Sequence, residues 1–400
     1  MEKPLISLPS QSSTPAVFAG FLGWTLDAFD FFLVVITLTH IGAEFHKTDR
    51  QMALCITVTL AFRPVGALIF GLLADRYGRR LPLMMDLVFY SVIEVLSGLA
   101  PNFTTFLILR ALFGIGMGGE WGVGATLTME KVPARMRGVL SGLLQEGYAA
   151  GYLLAAVAYY LVFPRWGWRP LFFIGGLPAL LAVFVRFSVQ ESEVWQREKP
   201  ASWKSLFTVI GKHWRIFLYL VALMTMMNLS SHGTQDLYPT FLQRIWHFDV
   251  KMKAALTAFS MVGAILGGLF FGRLSDSIGR KPAMALAFVG ALFAIPAWAL
   301  APRLWLLVTG AFVLQFMVQG AWGIIPAHLC ELSPNAIRGF LPGFAYQCGN
   351  LIAAYIVIFE TRLAEHWTYA TALAISATAI FIIAAIVAAI GPERRGVAFD

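Results

Sequence analysis

Three side chains on one apolar stretch suggest what chemistry this chain could perform. Asn228, His232 and Asp236, within NLSSHGTQDLYPT, follow an i, i+4, i+8 series and so form one polar stripe on a single helix face. Histidine changes charge near neutral pH, and Asp236 lies one turn away, so the pair is a candidate proton relay. Asp27 and Asp30, in GWTLDAFDFF, are the rival proton site; the alternative for them is bonding that fixes their helix against a neighbour. Arg63, in LAFRPVG, offers paired donors that suit a carboxylate and stays charged at every working pH. Asn228, Gln347 and Asn350 add neutral donors that could orient an anion and its hydroxyl or keto group. These residue types suit a small organic anion taken together with a proton. HExxH, P-loop and GxSxG runs are absent, and a His/Asp pair alone is no metal site, so the reading is of a non-enzyme with no metal and no cofactor.

The elements that hold these residues follow from composition. Of 400 residues, 58% are apolar and 13% charged, with mean hydropathy +0.71. Soluble domains carry about a quarter charged residues, and no soluble fold hides so much apolar surface. Lipid must therefore be much of the solvent. At about 20 residues per crossing, apolar runs predict an all-α membrane protein with twelve spans. They lie near 15–41, 50–73, 81–100, 104–129, 137–162 and 168–187, then 214–246, 252–273, 281–300, 304–329, 338–360 and 366–390. Residues 1–187 and 214–400 read as two six-helix bundles, with 188–213 as the linker between them. The net charge of +8 would suggest nucleic acid in a soluble protein, but the basic residues sit in loops. One set of loops and tails carries 19 Lys and Arg, the other 9, with Arg63 and Arg110 inside spans. That bias puts both termini and the linker in the cytoplasm. Cys55, Cys330 and Cys348 are too few and scattered for a disulfide framework. The N-terminal tail lacks the order of a cleaved leader.

An ionisable group deep in a span is costly unless it faces protein or water. On that ground Asp27, Asp30 and Arg63 mark a path through the bilayer, as do Gln347 and Asn350, three residues apart on one face. Gln315 and Gln319 add further polar groups to span ten. Glu120 and Glu146 neighbour glycines suited to close packing, and the packing reading is favoured for both.

The chain also repeats itself. GLLADRYGRRLP from Gly71 and GRLSDSIGRKP from Gly272 align at an offset of 201 residues, pairing Asp75 with Asp276, Gly78 with Gly279 and Arg79 with Arg280. The same offset joins Glu130, Pro133, Arg137 and Gly138 to Glu331, Pro334, Arg338 and Gly339, and Trp121-Gly122 to Trp322-Gly323. Duplicated bundles around a central cavity are a transporter's architecture. Gly71 and Gly272 would allow close helix approach, and Gly78 and Gly279 a tight turn. Asp75 and Asp276 could pair with helix N-termini or basic residues only while one side is closed, which would make these motifs gates. The alternative is that Arg79, Arg80, Arg280 and Lys281 only enforce topology.

The G-x-L-x-D-x-x-G-R-R/K loops resemble those of the major facilitator superfamily, and Arg110-x-x-x-Gly114-x-Gly116-x-Gly118 is similar to its second motif. This resemblance implies alternating access, with spans three, six, nine and twelve peripheral, so Asp86 and Glu94 on span three read as structural. NLSSHGTQDLYPT also resembles the N-x-x-[ST]-H-x-[ST]-Q-D-x-x-x-T pattern of the proton-coupled monocarboxylate branch of the sialate:proton symporter family. Asn228, Ser231, His232, Thr234, Gln235, Asp236 and Thr240 fill its positions. The stretch around Asp27 and Asp30, and Arg63, look like that family too. What the resemblance implies is proton symport of a lactate- or pyruvate-like acid by a multi-pass monomer in the cell's inner or plasma membrane, its partners being the anion, the proton and the bilayer, with no nucleic acid. Sialic-acid members have extra central spans that this chain lacks; a symporter of sialic acid or another larger acid is the alternative transporter, and a transporter-like sensor the alternative of another class.

Overall fold

The apolar runs become twelve helices in a computed structural model that describes residues 13–200 and 202–399. They are α1 (Thr14–Glu44), α2 (Gln51–Tyr77), α3 (Arg80–Gly98), α4 (Phe103–Lys131), α5 (Ala134–Trp166) and α6 (Arg169–Ser188). The second six are α7 (Trp214–Ile245), α8 (Lys251–Ile278), α9 (Arg280–Ala299), α10 (Leu304–Leu332), α11 (Leu341–His366) and α12 (Tyr369–Ile390). Each is long and apolar enough to cross a bilayer, and together they make a multi-pass membrane protein. The N-terminal tail, with the reading that it is no cleaved leader, lies outside the described residues. The stretch between α6 and α7 is more than a plain connector, since it carries two short helices, Glu193–Glu198 and Trp203–Lys212.

Helix starts are set by local capping. Thr48 and Gln51 form a reciprocal capping box at the start of α2. The side chains of Asn102, Asp249 and Thr368 accept backbone N–H groups at the starts of α4, α8 and α12. The α2–α3 and α8–α9 turns pass through Gly78 and Gly279, both at φ 106°, a region that side chains avoid. Large apolar residues such as Phe187 and Phe293 project outward, 84% and 81% exposed, as lipid-facing positions do.

Packing repeats with the sequence. A Cβ on Gly66 would lie 1.6 Å from the Ile115 carbonyl, and one on Gly267 would lie 1.9 Å from that of Phe316. The α2–α4 and α8–α10 contacts therefore use the same close approach at the same offset. Four spans are interrupted. Regular helix breaks in α5 at Glu146, in α6 between Ile174 and Pro178, in α7 between Gln235 and Tyr238, and in α11 between Ala353 and Ile356. The α7 break directly follows Asp236, where Pro239 begins a new short helix.

Candidate functional site

Two regions concentrate polar side chains. The first, on the face carrying the α2–α3 and α8–α9 turns, is a network of ion pairs and backbone caps that joins the first six helices to the second six, here termed the latch. Asp75 accepts the backbone N–H groups of Gly339 (2.7 Å) and Phe340 (3.0 Å), just before α11. Asp276 does the same for Gly138 (2.9 Å) and Val139 (3.1 Å), at the start of the regular helix in α5. Each carboxylate thus caps a helix of the other half, where free N–H groups and the helix dipole favour negative charge. A Cβ on Gly71 would crowd Phe340 and one on Gly272 would meet the Gly138 carbonyl, so both glycines permit this approach.

Arginines tie each latch together. Arg79 donates to Asp75 (2.6 Å) and, through two nitrogens, to Glu130. Arg280 donates to Asp276 (2.8 Å) and to both oxygens of Glu331 (2.9 Å each). Burial works against the Arg79 charge, but Glu130 and Asp75 outweigh it and hold its pKa above the ordinary arginine value. Arg338 crosses to Glu130 (3.3 Å) and Arg137 approaches Glu331 (3.9 Å), so both acids join the two halves. Glu191 accepts the N–H groups of Arg79 and Arg80, and Glu393 accepts that of Lys281, which caps α3 and α9. Phe399 lies against the guanidiniums of Arg137 and Arg338, 3.4 and 3.7 Å from its centroid, with Arg137 also donating to the Val397 carbonyl.

The second region is a chamber midway through the bundle. His232 Nδ1 and Asp236 Oδ2 are 3.0 Å apart, and these side chains are 37% and 40% exposed although they lie along the middle of α7. Their open sides lie next to the buried Asn228 and Asn350. His232 is also within hydrogen-bonding range of Asn350 on α11 and feels the charge of Arg63 on α2. Arg63 is buried beside Tyr346, its guanidinium 5.6 Å from that ring's centroid, with Nε and Nη2 unpaired. Asn228 is buried and donates to the Met224 carbonyl of its own helix (2.7 Å), which uses part of its donor capacity. Gln347 is buried with both amide atoms unpaired.

The other polar residues of α7 do different work. Gln235 donates to Gln315 (2.9 Å), Gln315 to Thr234 (3.4 Å) and Gln319 to Ser231 (3.5 Å). They fasten α7 to α10, while the His232 side of the helix faces the chamber.

Behind Arg63 lies a set of buried acids. Asp27 is within electrostatic reach of Arg63 and Glu94, and Asp30 of Glu94 and Arg110. All four carboxyl oxygens of Asp27 and Asp30 lack partners, so neither makes the interhelical bonds held open for them. Asp86 and Glu120 are likewise buried without partners. Glu94 instead pairs with Arg110 at 2.6 Å, and Arg110 also contacts Ser97. Glu146 sits at the α5 break, pointing toward Gly268. Sequence reasoning missed Glu360, a buried acid on α11 that accepts from Ser376 (2.6 Å), and the aromatic residues around Arg63. A lone acid in an apolar run was a usable signal for Glu360; the aromatic residues offered none.

Comparison with known proteins gives consistent matches. The chain matches the Major Facilitator Superfamily over residues 20–243 and 237–398. It is similar to a carboxylic acid transporter protein homolog of Saccharomyces cerevisiae, 28% identical, covering 94% of this chain and 68% of the yeast protein. It is 31% identical to the sialic acid transporter NanX of Escherichia coli, covering 84% of this chain and 83% of NanX. The fold is that of the proton:xylose symporter XylE bound to 6-bromo-6-deoxy-D-glucose, with TM-score 0.79 at 18% identity over 97% of this chain and 98% of XylE.

Proposed function

This chain belongs to the Major Facilitator Superfamily, whose members are transporters and not enzymes, and from that premise we propose that it is a proton symporter of a small monocarboxylate of the lactate and pyruvate class, working by alternating access with the latch face in the cytoplasm. The observation that carries this reading is the meeting of Arg63, His232, Asp236 and Asn350 from α2, α7 and α11 about one chamber. Arg63 binds the carboxylate through its unpaired N–H groups. Asn350, Gln347 and the remaining Asn228 donor orient the neighbouring oxygen. His232 and Asp236 exchange the proton, with Asp27 and Asp30 behind Arg63 as the second proton site. Uptake of a bare anion against a negative-inside potential is opposed by about 2.3 kcal/mol per 100 mV; a co-transported proton removes that opposition. The latch then separates as the halves rock, exchanging its cross-half bonds for access to the chamber.

The test is uptake of labelled lactate into proteoliposomes under an imposed inward proton gradient. Accumulation above equilibrium, abolished by a protonophore, is the expected result; uptake indifferent to the gradient would rule out symport. A second reading, sialic acid or another larger acid, draws on the likeness to NanX. Thermal-shift titration with lactate, pyruvate, acetate and sialic acid separates the two, because only a ligand of the native state raises the melting temperature.

A further inference from the structure

The Trp-Gly dipeptide that repeats at the 201-residue offset has no part in the latch or in the proton relay. It puts Trp121 on α4 and Trp322 on α10, both against Tyr346, with centroids 4.7 and 5.7 Å from that ring. Trp24 on α1 meets Trp121 at 6.5 Å. Gly118 packs against the Arg63 backbone, so Trp121, three residues on, lies about 4.5 Å nearer the latch. The four aromatic side chains therefore form a contiguous cluster across both halves, with the Arg63 guanidinium against its Tyr346 member.

The indole nitrogens are the telling atoms. Trp24, Trp121 and Trp322 are all buried, and none of their N–H groups has a hydrogen-bond partner. Indole only donates, a buried unused donor costs about 1–3 kcal/mol, and packing alone would be served by phenylalanine. Beside them Arg63 has two more unpaired nitrogens and Gln347 an unpaired amide. The cluster closes where Gly122 meets the Gly343 backbone across the seam between the halves, so parting of α4 from α11 opens it.

We propose that Trp121 and Trp322, assisted by Trp24, donate to the substrate oxygen beside the carboxylate as the halves part, making them specificity-determining residues. They favour a 2-oxo or 2-hydroxy acid over a simple alkyl carboxylate. This rests on the monocarboxylate reading of the chamber. An acid with one carboxylate and no second acceptor leaves the indoles unpaired, so it gains nothing from them.

The experiment removes the N–H and keeps the ring. Trp121→Phe, Trp322→Phe and the double variant are reconstituted, and kcat/KM is measured for pyruvate and for acetate. Each single change lowers the pyruvate kcat/KM about tenfold, mostly through kcat because the bond forms only as the halves part, the value of one hydrogen bond of about 1.4 kcal/mol. The acetate kcat/KM stays within about twofold. Replacing either tryptophan with benzothienylalanine, which keeps the shape and lacks the N–H, reproduces the effect should the phenylalanine variants fold poorly. A pyruvate kcat/KM that does not move, or falls in step with that of acetate, overturns the proposal. If the unaltered chain transports no pyruvate under a proton gradient, the monocarboxylate reading falls and takes this assignment with it.

Discussion

The latch and the chamber are built from the same duplicated halves and have diverged in opposite ways. In the latch, Asp75, Arg79 and Glu130 recur as Asp276, Arg280 and Glu331, with the same ion pairs inside each half and the same carboxylate-to-backbone bonds across the seam, at closely similar distances. In the chamber the tryptophans Trp121 and Trp322 recur, but the charged and amide groups do not. At the 201-residue offset Arg63 faces Ala264, His232 faces Phe31, Asn350 faces Ala149 and Asp27 faces Asn228. The latch carboxylates and guanidiniums are paired, whereas Arg63, Gln347, Asp27 and three indoles keep unpaired atoms. A closing surface between two similar bodies gains from symmetry, because one solution serves both seams. The proposed site takes an asymmetric ligand, so its charged groups need not be twofold, and it leaves groups unpaired for the ligand to satisfy.

Three experiments press on that contrast. Arg63→Gln should have the largest effect, lowering kcat/KM for the acid by roughly thirtyfold or more, as expected when one partner of a buried charged pair is truncated. Its melting temperature should hold within a few degrees; unimpaired transport would remove Arg63 from the site.

Asp75→Asn and Asp276→Asn should be intermediate and alike. A charge at a helix N-terminus is worth about 0.3–2 kcal/mol, so opening of the latch should rise by up to roughly thirtyfold. Alkylation of Cys330, fully buried in the apolar cluster under Phe399, reports that opening once Cys55 and Cys348 are replaced by alanine. Strongly unequal rates would mean the two latches are not energetic copies.

The smallest change is expected of Phe399→Leu, which keeps apolar cover over Cys330 and removes the ring from Arg137 and Arg338. Cation–π contacts of about 0.5–2 kcal/mol predict labelling faster by a few-fold. Unchanged labelling would make the tail a passive cover.

How much of this could be read beforehand differs between the regions. The latch motifs were visible because duplication writes them twice, and Gly78 and Gly279 declare their turn through the one residue type that tolerates φ near 106°. The α7 stripe was visible because i, i+4 spacing puts Asn228, His232 and Asp236 on one face. Its sorting was not: Ser231, Thr234 and Gln235 turn to α10, and only the packing of that helix reveals it. Phe399 and Glu393 carried no signal either, since a short tail has no periodicity and its register is set by the groups it lands on.

Composition was enough to determine a bilayer-spanning chain of twelve helices, because transfer of apolar surface is additive along a sequence, and the 201-residue repeat marked its two related halves. Which polar groups meet, and which stay unpaired, belongs to the tertiary structure. Arg63, His232 and Tyr346 are distant in the chain, and their encounter depends on how α2, α7 and α11 rotate about their own axes. That rotation is decided by glycine contacts and side-chain volume summed over every neighbouring helix, a property no single segment contains.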